Sequence, residues 1–350
     1  MVSNSQTMNI EFKLPIVDFS SFSKNQNFEA QLQTSKEINK ANRQHGFVCL
    51  RNSGIPKHKI ESMFDASKEL FHYEENQKQQ LKQIDPSTNT GYIGFEKESL
   101  NRNRKTDLKE AFNVRNTSFQ NGDLMGTPSV FQDQTMNFWE DLKVLGSNYA
   151  TCCALALGLD RQYFVKTLDT MDMCTLRMLH YPPCDSNIAN APLDDTCAIR
   201  VGEHTDFGIF TCLFIHDFRN KSSLGLQVKA VEGSEMNYHD NDHSSWNDVV
   251  FDNESLQLID EDDTCAVIVN TGALMARWTN DIWRATAHRV IVSPDAFSHH
   301  RYSIAMFFDP DSETLCSVHP KFVEEGQQKK YHDIKSIDYL LMKLKEAQGV

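Results

Sequence analysis

From Thr175 onward the chain is punctuated into short apolar runs, and no other feature restricts its fold as much. The runs are 175–181, 197–201, 208–215, 224–228, 265–270, 288–292 and 302–308, bounded by polar or turn-forming residues. Such runs, with no helical period between them, predict strands joined by turns in an antiparallel sandwich or jelly-roll barrel.

The first 163 residues read differently. Residues 14–19 predict a short edge strand, because Pro15 is tolerated at a strand start. A helix is expected over 28–44, then an apolar strand over 46–50 closed by Asn52-Ser53-Gly54. After Pro56, the residues Ile60, Met63, Phe64, Ser67, Leu70 and Phe71 follow a helical stripe. Residues 77–103 are polar and predict irregular structure. A long helix is expected over 129–157, stopping at Gly158, and a last one over 334–346 with Ile337, Leu340, Leu341 and Leu344 on one face. The expected division is an N-terminal α/β region over 1–163, a β-barrel core over 164–325 and a C-terminal helix over 326–350. The predicted class is mainly β with flanking helices.

Charge and cysteine content restrict the partners. The formal net charge is −13 and is spread along the chain. That argues against a protein built to grip nucleic acid or an anionic membrane. No basic segment followed by an apolar one opens the sequence, and the apolar stretch 150–159 is too short to span a bilayer. Nine cysteines are present, none in a CxxC pair, and Cys152-Cys153 are adjacent on an expected helix. Reduced thiols in a cytoplasmic protein are the expectation. A monomer acting on a small molecule is expected.

Chance supplies a His-x-acid pair or two in a chain with 13 histidines and 48 acids, so spacing alone carries nothing. Context separates the two pairs present. His72 and Glu74 lie at a helix end, where residues two apart diverge. His204 and Asp206 follow a β-run, where residues two apart share a face. His288 opens another apolar run. Two histidines and a carboxylate form the open facial set used by non-haem Fe(II) oxygenases, although a lone histidine there is more often a hydrogen-bonded core residue. Arg301 and Ser303 share a face on the last run. An inward arginine calls for an anion, which its planar fork would grip bidentately, with the Ser303 hydroxyl as a further donor. An arginine reaching to solvent at a strand start is the alternative.

These residues belong to a longer series. The stretches Leu14-Pro15-Ile16-Val17-Asp18, His45-Gly46-Phe47 and Asp107-Leu108-Lys109-Glu110 come first, with Asn52-Ser53-Gly54-Ile55 between the last two. Then come Leu179-His180-Tyr181-Pro182-Pro183, Glu203-His204-Thr205-Asp206 and Val269-Asn270-Thr271-Gly272. Arg277-Trp278-Thr279-Asn280, Thr286-Ala287-His288-Arg289-Val290 and Arg301-Tyr302-Ser303 close the series. In this order they resemble the isopenicillin N synthase-like branch of the Fe(II)/2-oxoglutarate-dependent dioxygenases, over nearly all of the chain. The resemblance implies a double-stranded β-helix (jelly-roll) core holding Fe(II) through His204, Asp206 and His288. It also implies 2-oxoglutarate held at its distal carboxylate by Arg301, Ser303 and Tyr181. The implied reaction consumes O2, releases succinate and CO2, and hydroxylates, desaturates or cyclises a substrate.

Two departures from the family stand out. The segment between Asp206 and His288 is long, through an insertion at 232–263 that contains His239, Asp240, Asp242 and His243 and is expected to be a solvated acidic loop. The linker from His288 to Arg301 is also long, with His299-His300 before the arginine. For the substrate, Arg177 should face the same interior as Tyr181, meeting either a substrate anion such as the carboxylate of an amino-acid derivative or a barrel acid in an ion pair. Tyr92, Ile93, Phe112, Phe210 and Phe308 are weaker pocket candidates. Two alternatives stay open: an oxidase of the isopenicillin N synthase type that uses no 2-oxoglutarate, and an inactive binding descendant.

Overall fold

The computed structural model describes residues 10–81, 89–98, 107–122, 124, 126–184, 199–217, 225–230, 246–260, 266–292 and 298–348. Two sheets face each other. The smaller has the order β1 (Ile10–Lys13), β10 (Trp246–Val250), β9 (Leu226–Lys229), β12 (His288–Ile291) and β7 (Ile199–His204). The larger runs β2 (Ile16–Asp18), β3 (Phe47–Arg51), β11 (Val267–Thr271), β8 (Phe210–Ile215), β13 (Arg301–Phe308), β6 (Thr175–Tyr181), β5 (Glu110–Arg115) and β4 (Gly91–Ile93). A short pair, β14 (Leu315–Cys316) with β15 (Ile334–Lys335), lies apart. This is a jelly-roll core. Its pairings are antiparallel except β1 with β10 and β2 with β3, which are parallel.

Alternation along β6 and β13 gives the large sheet two unlike faces. Leu179, Tyr181 and Ala305 look toward the small sheet and pack with Val201 and Val290 from it. Leu176, Met178, Ile304, Met306 and Phe308 look the other way, into the main core shared with the helices. Those helices are α1 (Ser20–Ser23), α2 (Phe28–Gln44), α3 (Lys57–Phe71), α4 (Glu75–Gln80), α5 (Ser118–Asn121) and α6 (Ser129–Ala156). Along α6 the buried Phe131, Phe138, Leu142, Leu145 and Tyr149 return every three to seven residues, so one stripe meets the sheet. Each such large side chain contributes about 1.5–3 kcal/mol on burial. Asn27 caps α2 by accepting from the Ala30 N–H at 3.0 Å. The helix stops where Gly46 takes φ +69°, and a Cβ there would lie 2.3 Å from the Arg284 carbonyl oxygen.

Several expectations change. The C-terminal strands are interrupted by α7 (Asn253–Asp260) and α8 (Ala273–Trp278), short helices whose few turns carry little periodic signal. The described part of the insertion is not a loop. Trp246–Val250 pairs with β9 and β1, and Val249, Phe251 and Ile259 are buried. These few apolar residues are enough to fix it against the small sheet. His239, Asp240, Asp242 and His243 lie outside the described residues. Within 77–103, α4 and β4 are regular, held by the Glu74–Gln77 capping box and by pairing to β5. The last helix, α9, spans Ser336–Gln348. Among the described residues no helix is long and apolar enough to cross a membrane, and the described cysteines are free.

Candidate metal centre

Strands β7 and β12 pair with His204 opposite His288, and the two rings lie 4.3 Å apart between centroids. Asp206 is not on the strand: β7 ends at His204, and the chain turns before β8. Its place comes from tertiary contacts. Thr211 Oγ1 and Asn270 Nδ2 both donate to its Oδ2, at 2.6 and 2.7 Å, and the Ala273 N–H donates to its backbone oxygen at 2.7 Å. That leaves Oδ1 facing the rings, 3.6 Å from His204 Nε2 and 3.7 Å from His288 Nε2. One donor atom from each residue lies within 4.8 Å of the others.

Tautomers follow from the backbone. His204 Nδ1 lies 2.8 Å from the Gly202 carbonyl and His288 Nδ1 3.2 Å from that of Thr286. A carbonyl only accepts, so each Nδ1 carries a hydrogen and Nε2 is the nitrogen left to face a metal. Burial, and next the nearby His288, push the His204 imidazole down to about 4, so it is neutral near pH 7. Burial opposes ionisation of Asp206, but His288, His204, Asn270 and Thr211 outweigh it and hold the carboxyl below its usual range. Two imidazole nitrogens and one carboxylate oxygen suit a first-row divalent metal with positions left open.

The Asp206 turn needs two glycines back to back. A Cβ on Gly272 would lie 2.1 Å from the Gly208 carbonyl oxygen, a backbone atom that cannot swing aside. Gly272→Ala is expected to lose about 2 kcal/mol or more of stability, as overpacking does, measured by urea unfolding. An unchanged midpoint would show that the turn relaxes freely.

On β13, Arg301, Ser303 and Ala305 share the inward face, with Arg301 opposite Tyr181 and Ser303 opposite Leu179 on β6. Arg301 is buried, its Cζ 4.6 Å from the Tyr181 ring centroid, and burial pulls its basicity down while Tyr181 partly offsets this. Arg177 pairs with Glu98, which also accepts from Lys109 at 3.3 Å; Lys109 in turn reaches Asp107 at 2.7 Å. Of the two readings for Arg177, the ion pair with an acid is what the structure contains.

Burial works to raise Glu98, but Arg177 and Lys109 overcome it and bring the carboxyl to about 2. Because its folded value lies below the ordinary 4.5, Glu98 stabilises the fold above that pH and the contribution disappears as pH falls toward 2. Glu98→Gln is expected to lower Tm at pH 7 and to flatten the fall of Tm below pH 4.5, read by calorimetry across that range. Parallel Tm–pH curves for the two proteins would contradict this.

The aromatic pocket candidates are elsewhere. Tyr92, Phe112, Phe210 and Phe308 are buried in the core shared with the helices, on the far side of the large sheet from Arg301 and Ser303. Tyr92 donates to Glu110 at 2.5 Å, and Phe210 and Phe308 pack together at 4.7 Å. Ile93 is half-buried on the edge strand β4. Strand alternation separates two faces but does not say which is inner. Sequence reasoning also missed roles for Thr211, Asn270, Glu98 and Arg200, and did not single out Asp309. Asn270 lay in a quoted motif without a function attached. Burial raises the Asp309 carboxyl to about 7.

Comparisons with known proteins bear on this arrangement. A family model described as the N-terminal part of a non-haem dioxygenase in morphine synthesis matches residues 14–141. Another, the 2OG-Fe(II) oxygenase superfamily, matches residues 172–310. The 2-oxoglutarate-Fe(II) type oxidoreductase ppzD of Metarhizium majus is 27% identical over 332 residues, covering 85% of each chain. Full-length T7H of Neurospora crassa, solved with alpha-KG, superposes with TM-score 0.76 at 28% identity, covering 95% of this chain and 96% of T7H. Its complex with alpha-KG and thymine gives TM-score 0.74 at 27% identity, covering 96% of each chain.

Proposed function

The chain belongs to the 2OG-Fe(II) oxygenase superfamily, and we propose that His204, Asp206 and His288 hold its iron while Arg301, Ser303 and Tyr181 receive 2-oxoglutarate. The protein is an Fe(II)- and 2-oxoglutarate-dependent oxygenase that consumes O2, releases succinate and CO2, and oxidises a small molecule. The observation that carries the site assignment is the convergence of two Nε2 atoms and Asp206 Oδ1, with Oδ2 already saturated by Thr211 and Asn270.

Bound Fe(II), with 2-oxoglutarate on it, supplies O2 activation coupled to decarboxylation. The protein's own residues do the rest. Thr211 and Asn270 fix which carboxylate oxygen points inward, and the Gly202 and Thr286 carbonyls fix both rings. Leu179, Val201, Val290 and Ala305 line the space between the sheets with hydrocarbon, where low dielectric strengthens the pairing of Arg301 with a carboxylate. Ser303 is buried beside it and offers one hydroxyl donor.

The net charge of −13 supports a small metabolite over nucleic acid as substrate. Free buried thiols support a reducing, cytoplasmic setting, and we take the enzyme to act as a monomer. With Arg177 occupied by Glu98, a carboxylate on the substrate loses its main support. Thymine, which T7H binds, and amino-acid derivatives open the substrate screen. The test is anaerobic: Fe(II) and then 2-oxoglutarate are titrated into apo-protein while the visible band of an iron-bound 2-oxo acid is followed. A band that saturates at one equivalent, followed by succinate release in air, is expected. Iron binding with no band would move 2-oxoglutarate away from this site.

A further inference from the structure

The space around Tyr181 contains a second guanidinium. Arg200, near the start of β7, is 3% exposed, and Arg301 is 7% exposed. The Arg200 Cζ lies 5.7 Å from the Tyr181 ring centroid and the Arg301 Cζ 4.6 Å from it, so both cations gather at one ring. Two register shifts between β7 and β12 break simple alternation on this strand, which hides Arg200 from a face-by-face reading of the sequence. Its Nη1 donates to the Tyr181 carbonyl at 3.1 Å. Among the described residues no acidic side chain forms an ion pair with Arg200. Burial lowers its basicity, and the charge of Arg301 lowers it further.

Two buried like charges held together by structure alone are unfavourable, because each is desolvated and each repels the other. A shared anion reverses the balance. The bonds to the Tyr181 carbonyl and to the Cys184 side chain leave further donors of a fork that has five. A carboxylate placed between the two guanidiniums would accept from both, with Ser303 at its side.

We propose that Arg200 is a second arginine for the distal carboxylate of 2-oxoglutarate, acting with Arg301. The proposal rests on the assignment of Arg301, Ser303 and Tyr181 to that co-substrate and adds a residue to it. It also predicts discrimination. Two-oxo acids without a distal carboxylate, such as 2-oxobutyrate, gain nothing from Arg200.

The experiment is anaerobic calorimetric titration of Fe(II)-loaded protein with 2-oxoglutarate and with 2-oxobutyrate, in wild type, Arg200→Gln, Arg200→Lys and Arg301→Ala. Arg200→Gln is expected to weaken 2-oxoglutarate about 10- to 100-fold, in the range for losing a charge-assisted hydrogen bond, and to leave 2-oxobutyrate unchanged. Arg200→Lys, which keeps the charge and loses the fork, should fall between; it also serves if Arg200→Gln does not fold. Equal weakening of both acids would mean that Arg200 only braces the Tyr181 backbone, and no weakening would likewise overturn the proposal. Selective loss in Arg301→Ala without loss in the Arg200 variants would remove Arg200 alone. No selective loss in Arg301→Ala would remove the co-substrate assignment beneath it.

Discussion

Asp206→Asn is expected to leave the fold intact and to abolish both iron binding and turnover. Asparagine keeps an oxygen where Asp206 Oδ2 accepts from Thr211 and Asn270, so neither buried donor is orphaned. The amide nitrogen then replaces Oδ1 opposite the two Nε2 atoms, 3.6 and 3.7 Å away in the native protein. An amide N–H2 has no lone pair for a metal and would donate to the ring nitrogens instead. Loss of one metal ligand removes several kcal/mol of metal-dependent stabilisation, about a thousandfold or more in kcat/KM at roughly 1.4 kcal/mol per tenfold. Alanine would be a poorer test, since leaving Thr211 and Asn270 unpaired costs about 1–3 kcal/mol for each donor and confuses metal loss with unfolding. The measurements are iron stoichiometry after anaerobic loading, succinate release, and Tm of the metal-free protein. Iron retained at one equivalent in Asp206→Asn would sink the assignment.

Arg301→Ala carries the second large effect, on 2-oxoglutarate rather than on iron. The guanidinium is buried against Tyr181, where water cannot replace its charge. Truncating one partner of a buried charge pair costs about 2–5 kcal/mol, which weakens the co-substrate about 30-fold to several thousandfold at roughly 1.4 kcal/mol per tenfold. Iron affinity should hold, because the bonds that orient His204, Asp206 and His288 come from Gly202, Thr211, Asn270 and Thr286, none of them on β13. Arg301→Lys should be intermediate, since an ammonium offers a charge without the planar fork. An unchanged Kd for 2-oxoglutarate in Arg301→Ala would place the co-substrate elsewhere in the barrel.

Much of the fold is legible in the residue pattern. The helix over 28–44 and the strand over 175–181 have the bounds their periodicity predicts, because local period and end signals are properties of the segment itself. The same holds for Gly158, whose φ of +66° ends the long helix. Segments whose regularity depends on a distant partner were not legible. Strand Trp246–Val250 exists because β9 and β1 flank it, and helix Asn253–Asp260 because its apolar residues meet that sheet.

The candidate site divides in the same way. Residue type and order singled out His204, Asp206, His288, Arg301 and Ser303 as candidates, since a metal and a carboxylate can be held only by a few side chains and these stand in a recognisable sequence. What aims them was decided in three dimensions. Asp206 owes its orientation to Thr211 and Asn270, and Arg177 answers to Glu98, 79 residues before it. Arg200 reaches Tyr181 from a stretch where β7 slips in register against β12, and Tyr92, Phe112, Phe210 and Phe308 turn to the helices. A linear pattern states which residues share a face. Which face becomes the interior, and which charge meets which, depends on contacts between segments far apart in the chain, and only the packed sheets determine those.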